Sequence, residues 1–314
     1  MSANQLGEIR PHGLIARMLD SDIYHSFKNS PIVVLSAAIT FIIFVLALFA
    51  PWLAPYDAFD PSSLDLMDAF TPPAWVDGGA SNYLLGTDDQ GRDILSTLMY
   101  GSRVSLMVGF MAVFFSIILG VGLGLVAGYT GGWLDAIIMR AADVQLTIPA
   151  ILVALMIDGV ANAMLPSHMR EAMAVYVLIL AIGISDWPRY ARVTRGAAMV
   201  ERGKEYVSAA RVIGVSPTLI MIRHVLPNVM GPVLVLGTIG LALAIITEAT
   251  LSFLGVGVPP TTPSLGTLIR IGNNFLFSGE WWITLFPALF LVILVLAVNL
   301  LGDWLRDALN PKLR

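Results

Sequence analysis

Cysteine is absent from this chain of 314 residues, which rules out disulfides, thiol nucleophiles and thiolate metal sites and leaves the redox compartment undetermined. Charge is nearly as scarce: charged residues make up 13% of the chain, against roughly 25% in soluble domains. The four histidines, His12, His25, His168 and His224, are scattered and form no metal-ligand spacing. No G-x-x-x-x-G-K-[ST] phosphate loop, no G-x-S-x-G elbow and no H-E-x-x-H occur. The chain therefore has no phosphate loop for nucleotide chemistry, and neither a catalytic residue nor a cofactor or metal is expected on it. The net charge of −4 comes with no basic stripe of the kind that binds nucleic acid.

What is present is apolar surface. Hydrophobic residues make up 57% of the chain and the mean hydropathy is +0.79, so polar residues cannot cover the molecule and lipid must be its solvent. A helix crosses the roughly 30 Å hydrocarbon layer with about 20 apolar residues. Six stretches qualify, at 31–54, 104–128, 134–158, 172–187, 229–256 and 281–301. The fourth is short, bounded by Glu171 and Asp186. All are continuously apolar rather than alternating, which excludes a barrel and gives an all-α polytopic membrane protein with six transmembrane helices.

The first run is longer than the 7–15 residues of a signal-peptide core and is read as a retained anchor. Lys and Arg concentrate on cytoplasmic loops. With the N-terminus inside, Arg189, Arg192, Arg195, Arg202, Lys204, Arg211 and Arg223 are cytoplasmic, and only Arg92, Arg103, Arg170 and Arg270 lie outside. Both termini are then cytoplasmic. The expected organisation is an N-terminal segment 1–30, a first span 31–54, an outer loop 55–101, a core 102–305 containing a cytoplasmic loop 189–227, and a tail 306–314. The outer loop, rich in Pro and Asp, reads as irregular and solvated. Thr87 or Asp88 is placed to cap a following helix whose Ile94, Leu95 and Leu98 suit an interfacial face. No duplicated halves are visible.

The loop 189–227 is far longer than the usual 2–8 residues of a helix connection, and it is patterned. Lys204 to Ile213 predicts a short helix with Tyr206, Ala209, Ala210 and Ile213 on one side, closed by Gly214. Ser216 as N-cap and Pro217 as first helical residue start a second helix. A loop that merely sets topology needs none of this, and the paired caps favour a docking surface.

Among groups inside predicted spans, Arg140 and Asp143 are three residues apart and can neutralise one another. Glu248 lies towards the outer end of the fifth span, facing either a pathway or a partner. Asp158 and Asp186 fall at span edges. Trp52, Trp281, Trp282 and Trp304 fall at span ends, as interfacial anchors do. Gly120, Gly124 and Gly128 recur every fourth position, which suits close helix contact. The overlapping G-x-G-x-x-A of Gly122, Gly124 and Ala127 lies inside an apolar helix and is not a nucleotide fingerprint.

E-Y-V-S-A-A-R-V-I-G at Glu205–Gly214, followed by R-H-V-L-P-N at Arg223–Asn228, resembles the EAA loop of bacterial ABC importer permeases of the dipeptide, oligopeptide and nickel branch. The segments G-T-D-D-Q-G-R-D (Gly86–Asp93), G-S-R-V-S-L (Gly101–Leu106), T-L-S-F-L-G-V-G-V (Thr250–Val258) and G-D-W-L-R-D-A-L-N-P (Gly302–Pro311) agree, and the chain is similar to the C-type permease of the pair. One departure is that the family's signature glutamate aligns with Ser208, while Glu205 stands one turn earlier.

The resemblance implies a type I permease bundle in the bacterial inner membrane. Its partners are a second, homologous permease, two cytoplasmic ATPase subunits that hold ATP and magnesium, and an extracytoplasmic substrate-binding protein. It also implies that Glu205, Tyr206, Ser208, Ala209, Ala210, Arg211, Gly214, Ser216 and Pro217 couple the bundle to those ATPases. The substrate it points to is a di- or oligopeptide. An ion-coupled transporter or channel, using Asp143 and Glu248 as relay groups, is the competing reading; a scaffold without transport is a third.

Overall fold

The computed structural model describes residues 22–60 and 65–308; the first part of the expected N-terminal segment and the last residues of the tail lie outside them. Helices dominate the described residues: α1 Asp22–Lys28, α2 Pro31–Leu48, α3 Ala50–Leu53, α4 Ile94–Thr130, α5 Gly132–Thr147, α6 Ala150–Met164, α7 Ser167–Arg202, α8 Glu205–Val212, α9 Pro217–Ile220, α10 Leu226–Phe253, α11 Leu265–Asn273 and α12 Trp281–Ala308. A π-helical turn, Met221–Val225, joins α9 to α10. Five helices are long and apolar enough to cross a membrane, counting Pro217–Phe253 as one, and α5 with α6 reaches that length and hydropathy only as a bent pair, a broken span or a re-entrant loop.

That break corrects the expected continuous span 134–158. α5 and α6 meet at 96°. The cause is local: Pro149 pushes the residue before it out of the helical region, and Ile148 adopts φ −96°, ψ 130°.

α4 begins earlier than hydropathy alone indicates. Its N-cap is Asp93, whose carboxylate accepts from the Ser96 amide at 2.8 Å, rather than Thr87 or Asp88. Its 37 residues extend about 55 Å at 1.5 Å per residue, well beyond the hydrocarbon layer. Ile94 and Leu98 are buried, with Leu265, Leu268 and Trp282 in one cluster, so the start of α4 is core rather than an interfacial surface.

The central contact is α4 against α7. The row Gly120, Gly124 and Gly128 makes it possible. A methyl group at Gly124 would lie 2.4 Å from the Ala191 carbonyl oxygen, and one at Gly128 would lie 2.6 Å from that of Arg195. Only hydrogen fits, and the two backbones touch.

The segment expected to be irregular and solvated is so over most of its length, but its last stretch before α4 is enclosed. Thr87, Asp88, Arg92 and Asp93 are all buried. Arg92 Nε donates to Asp88 at 2.6 Å, and the Thr87 carbonyl accepts from the indole of Trp282 at 3.0 Å. Trp282 is therefore a core residue and not an interfacial anchor, whereas Trp52 is 80% exposed.

Candidate coupling interface

The candidate site occupies the basic end of the bundle and is narrower than the loop 189–227. Arg189 to Arg202 continues α7 as helix, and Pro217 opens the next span, so the connection proper is residues 203–216. Apolar scoring ends α7 early because its lower half carries arginines. The helix persists because Ala191, Thr194 and Ala198 are buried against the glycine row of α4; on its other side Arg195 pairs with Asp135 at 2.5 Å and Arg192 with Asp143 at 2.5 Å, both on α5.

These pairs also correct the expected Arg140–Asp143 couple. Asp143 turns to α7, while Arg140 is exposed beside a groove walled by Ile137 and Val144. Asp158 lies inside α6 rather than at its edge, whereas Asp186 stands where the apolar half of α7 gives way to its arginine-bearing half. Asp158 is buried in α6 and accepts from Asn162 at 2.7 Å, and Asp186 sits midway along α7, 3.5 Å from Arg189.

α8 lies on the bundle through Val207 and Ala210, which join Leu125, Ala198, Ile220, Val225 and Val229 in one buried cluster. Tyr206 packs against that cluster, but Ala209 and Ile213 do not share its face and are exposed. The seat uses a ridge one residue removed from the expected one.

Gly214 ends α8 as expected. It has φ +82°, a left-handed conformation that glycine adopts without strain. The amides of Gly214 and Val215 then return to the carbonyls of Arg211 and Ala210 at 3.0 Å each. Pro217 starts α9, while Ser216 has an extended backbone and makes no side-chain cap bond.

A polar knot that the sequence reading missed fixes the seat. Glu201, nearly buried at the end of α7, accepts from Lys204 at 2.6 Å and from the Tyr206 hydroxyl. Asn228 donates to the Tyr206 oxygen at 3.2 Å and to the His224 carbonyl at 2.7 Å, and the His224 ring stacks on Tyr206. Burial, reinforced by the Glu201 hydrogen bond, pushes the Tyr206 hydroxyl up to about 12, so it stays protonated and donating at neutral pH. Arg211 lies over Tyr129, 5.1 Å from the ring centre, and Arg202 donates to the Tyr129 carbonyl at 2.9 Å. The visible signal for Glu201 was its i,i+3 spacing to Lys204.

The outward face of this connection carries Glu205, Ser208, Ala209, Arg211, Val212, Ile213, Ser216 and Pro217. Val212 is 87% and Ile213 78% exposed. Two bare aliphatic side chains at the tip of a basic element are unusual for a solvated surface and suit a protein groove.

Glu248 stands near the end of α10, as expected, and takes the structural one of its expected roles. It is fully buried within the subunit, where Ser105 and Ser252 each donate to its carboxylate at 2.7 Å. It joins α4 to α10 and presents nothing to a pathway or a partner.

Comparison with known proteins agrees with this architecture. Residues 120–314 match the family described as binding-protein-dependent transport system inner membrane component, and residues 21–73 match the N-terminal TM domain of oligopeptide transport permease C. The chain is 39% identical to the dipeptide transport system permease protein DppC of Haemophilus influenzae over 93% of this chain and 95% of that protein. It is 42% identical to DppC of Escherichia coli K12 over 93% of each. With the di/tripeptide transport system permease protein DppC of Pseudomonas aeruginosa it shares 41% identity over 85% of this chain and 84% of that one. Among solved structures, the inward-facing MetNI methionine ABC transporter contains a chain that superposes with TM-score 0.54 at 21% identity, covering 69% of this chain and 98% of that one. This likeness bears on the fold alone. The chain belongs to the family of binding-protein-dependent transport system inner membrane components, and it is a multi-span permease of the ABC importer type.

Proposed function

We propose that this chain forms half of the translocation pathway of a bacterial importer for di- and oligopeptides, beside a second homologous permease. Two cytoplasmic ATPase subunits and an extracytoplasmic binding protein complete the complex, with both termini of this chain in the cytoplasm. The peptide assignment rests on what the relatives named above transport. ATP and magnesium belong to the ATPase subunits.

The observation that carries the mechanism is the rigidity of residues 203–216 combined with their bare tip. Motion at an ATPase surface reaches the spans only if the element between them does not bend. Here α8 is seated by Val207 and Ala210 in a core cluster shared with α4, α7 and α10, and is pinned by Glu201 and Asn228 through Tyr206. Displacing Val212 and Ile213 therefore displaces the ends of three spans.

The test is the double substitution Val212→Asp with Ile213→Asp. Both side chains are exposed, so the fold is retained. Loss of a tip burying two aliphatic groups, each contributing about 1.5–3 kcal/mol, lowers ATPase affinity by at least tenfold. In proteoliposomes, ATP-dependent dipeptide uptake then collapses and the ATPase subunits no longer co-purify, while thermal unfolding of the subunit is unchanged. Undiminished uptake would overturn the coupling assignment.

A further inference from the structure

Pro188 lies buried inside α7. A proline carries no N–H and presses its ring on the carbonyl four residues earlier, so the Ile184 carbonyl loses its helix donor. In a membrane-spanning helix such a group needs another donor. α5 supplies one: the side-chain amide of Gln145 donates to the Ile184 carbonyl, and the Gln145 oxygen accepts from the Trp187 indole at 2.9 Å. From α4, the Ser116 hydroxyl lies 2.9 Å from the neighbouring Gly183 carbonyl. Both ends of one glutamine side chain thus serve the turn that Pro188 disrupts.

Gln145 also stands three residues before Ile148, where the helix gives way at Pro149 and α6 turns off at 96°. Two proline-made breaks, one in α7 and one between α5 and α6, therefore lie at one level of the bundle with one side chain across them. On the coupling side of that level, α5 and α7 are tied by Asp135 with Arg195 and Asp143 with Arg192. On the far side, Ala154 of α6 shares a buried cluster with Leu178, Ala181 and Ile182 of α7. Each side is a helix pair that holds together, and prolines are where helices bend. Resting on the coupling reading above, we propose that this level is a hinge of the permease and that Gln145 is its positioning residue. Displacement of residues 203–216 tilts the α5–α7 pair against α6 and the far half of α7, and Gln145 sets the angle at which the two pairs rest. A neutral hydrogen bond suits this role. Its net contribution shifts a two-state equilibrium by about tenfold or less, enough to favour one angle and small enough to be broken in every cycle.

A glutamine that merely mends α7 becomes dispensable once no mend is needed, and this separates the two roles. Pro188→Ala restores an N–H that bonds Ile184 within α7, and Gln145→Leu removes both side-chain bonds. Each variant and the double variant are assembled with the partner permease, ATPases and binding protein in proteoliposomes. ATP-dependent uptake of Ala-Phe is measured against peptide concentration, together with the ATP hydrolysed per peptide and the thermal unfolding of the subunit.

Pro188→Ala leaves the subunit at least as stable as wild type, because the helix regains a bond and loses a breaker. Bending α7 must then break that bond, so maximal uptake falls about tenfold while the half-saturating peptide concentration is unchanged. Gln145→Leu lowers the melting temperature and raises the ATP hydrolysed per peptide about fivefold, the weight of the lost bonds. The double variant recovers stability but not transport. Wild-type uptake by Pro188→Ala or by the double variant shows that Gln145 only mends α7; it overturns the hinge and leaves the importer reading standing. Should Gln145→Leu fail to assemble, Pro188→Ala decides by itself. A wild-type complex without ATP-dependent uptake of Ala-Phe overturns the peptide-importer reading and the hinge with it.

Discussion

Glu248 shows how a costly residue is made tolerable inside an apolar helix. A carboxylate with no exposed surface must have its oxygens bonded. Ser105 and Ser252 supply one hydroxyl each, and the Leu265 amide donates in turn to Ser105 at 3.2 Å. The carboxylate thus ties the start of α11 to α4 and α10. Glu248→Ala leaves both hydroxyls without their acceptor and destabilises the subunit by about 1–3 kcal/mol. Glu248→Gln, which keeps an acceptor of the same shape, costs less. Thermal unfolding of the purified subunit in detergent, followed by loss of monodispersity, gives the order wild type, Gln, Ala. If alanine matches wild type, the tie has no structural weight.

At the scale of elements, the α4–α7 contact decides whether the bundle assembles. Gly124 faces the Ala191 backbone with room for hydrogen alone, while Gly122, half a turn away, has nothing within 4 Å of an added methyl group. The two positions make a matched control. Gly124→Ala forces the helices apart and costs about 1–3 kcal/mol, as overpacking does, whereas Gly122→Ala is neutral or slightly favourable because alanine is the better helix former. Comparing the melting temperatures of the two variants checks this. Equal stability would show that the helices separate freely in the assembled membrane. The glycine spacing was legible in the sequence, because every fourth residue returns to one helix face. That α7 was the partner was not, since spacing describes one helix and says nothing of which other helix approaches it.

For the molecule as a whole, the two ends of the bundle differ in chemistry. One holds the arginine-rich half of α7 and the connection 203–216; the other holds the segment before α4, buried only in its last stretch, and α11. The proposed orientation puts the first end, with its excess of Lys and Arg, in the cytoplasm. With no native cysteine, single replacements read this directly. Val212→Cys, expressed without the ATPase subunits that would cover it, is modified by an impermeant maleimide only in inverted vesicles, and Trp75→Cys, at an exposed position in the outer segment, only in right-side-out spheroplasts. The opposite pattern would invert the topology and remove the connection from the ATPases.

Composition and periodicity by themselves determined the membrane class, the charged asymmetry of the ends, the glycine elbow at Gly214 and the close-packing stripe on α4. Each is a property of consecutive residues and is written in their order. Only the tertiary structure decided the partners. Asp143 pairs with Arg192, 49 residues away, rather than with Arg140 one turn along, and Glu248 finds Ser105 across 143 residues. Likewise the long loop shrank to 203–216 because the arginine-bearing half of α7 packs as helix on the glycine row of α4, and α8 turns Val207 rather than Ile213 onto the cluster of Leu125, Ala198, Ile220 and Val229. Helical spacing fixes which residues share a face, but burial and ion pairing depend on what other helices bring to that face.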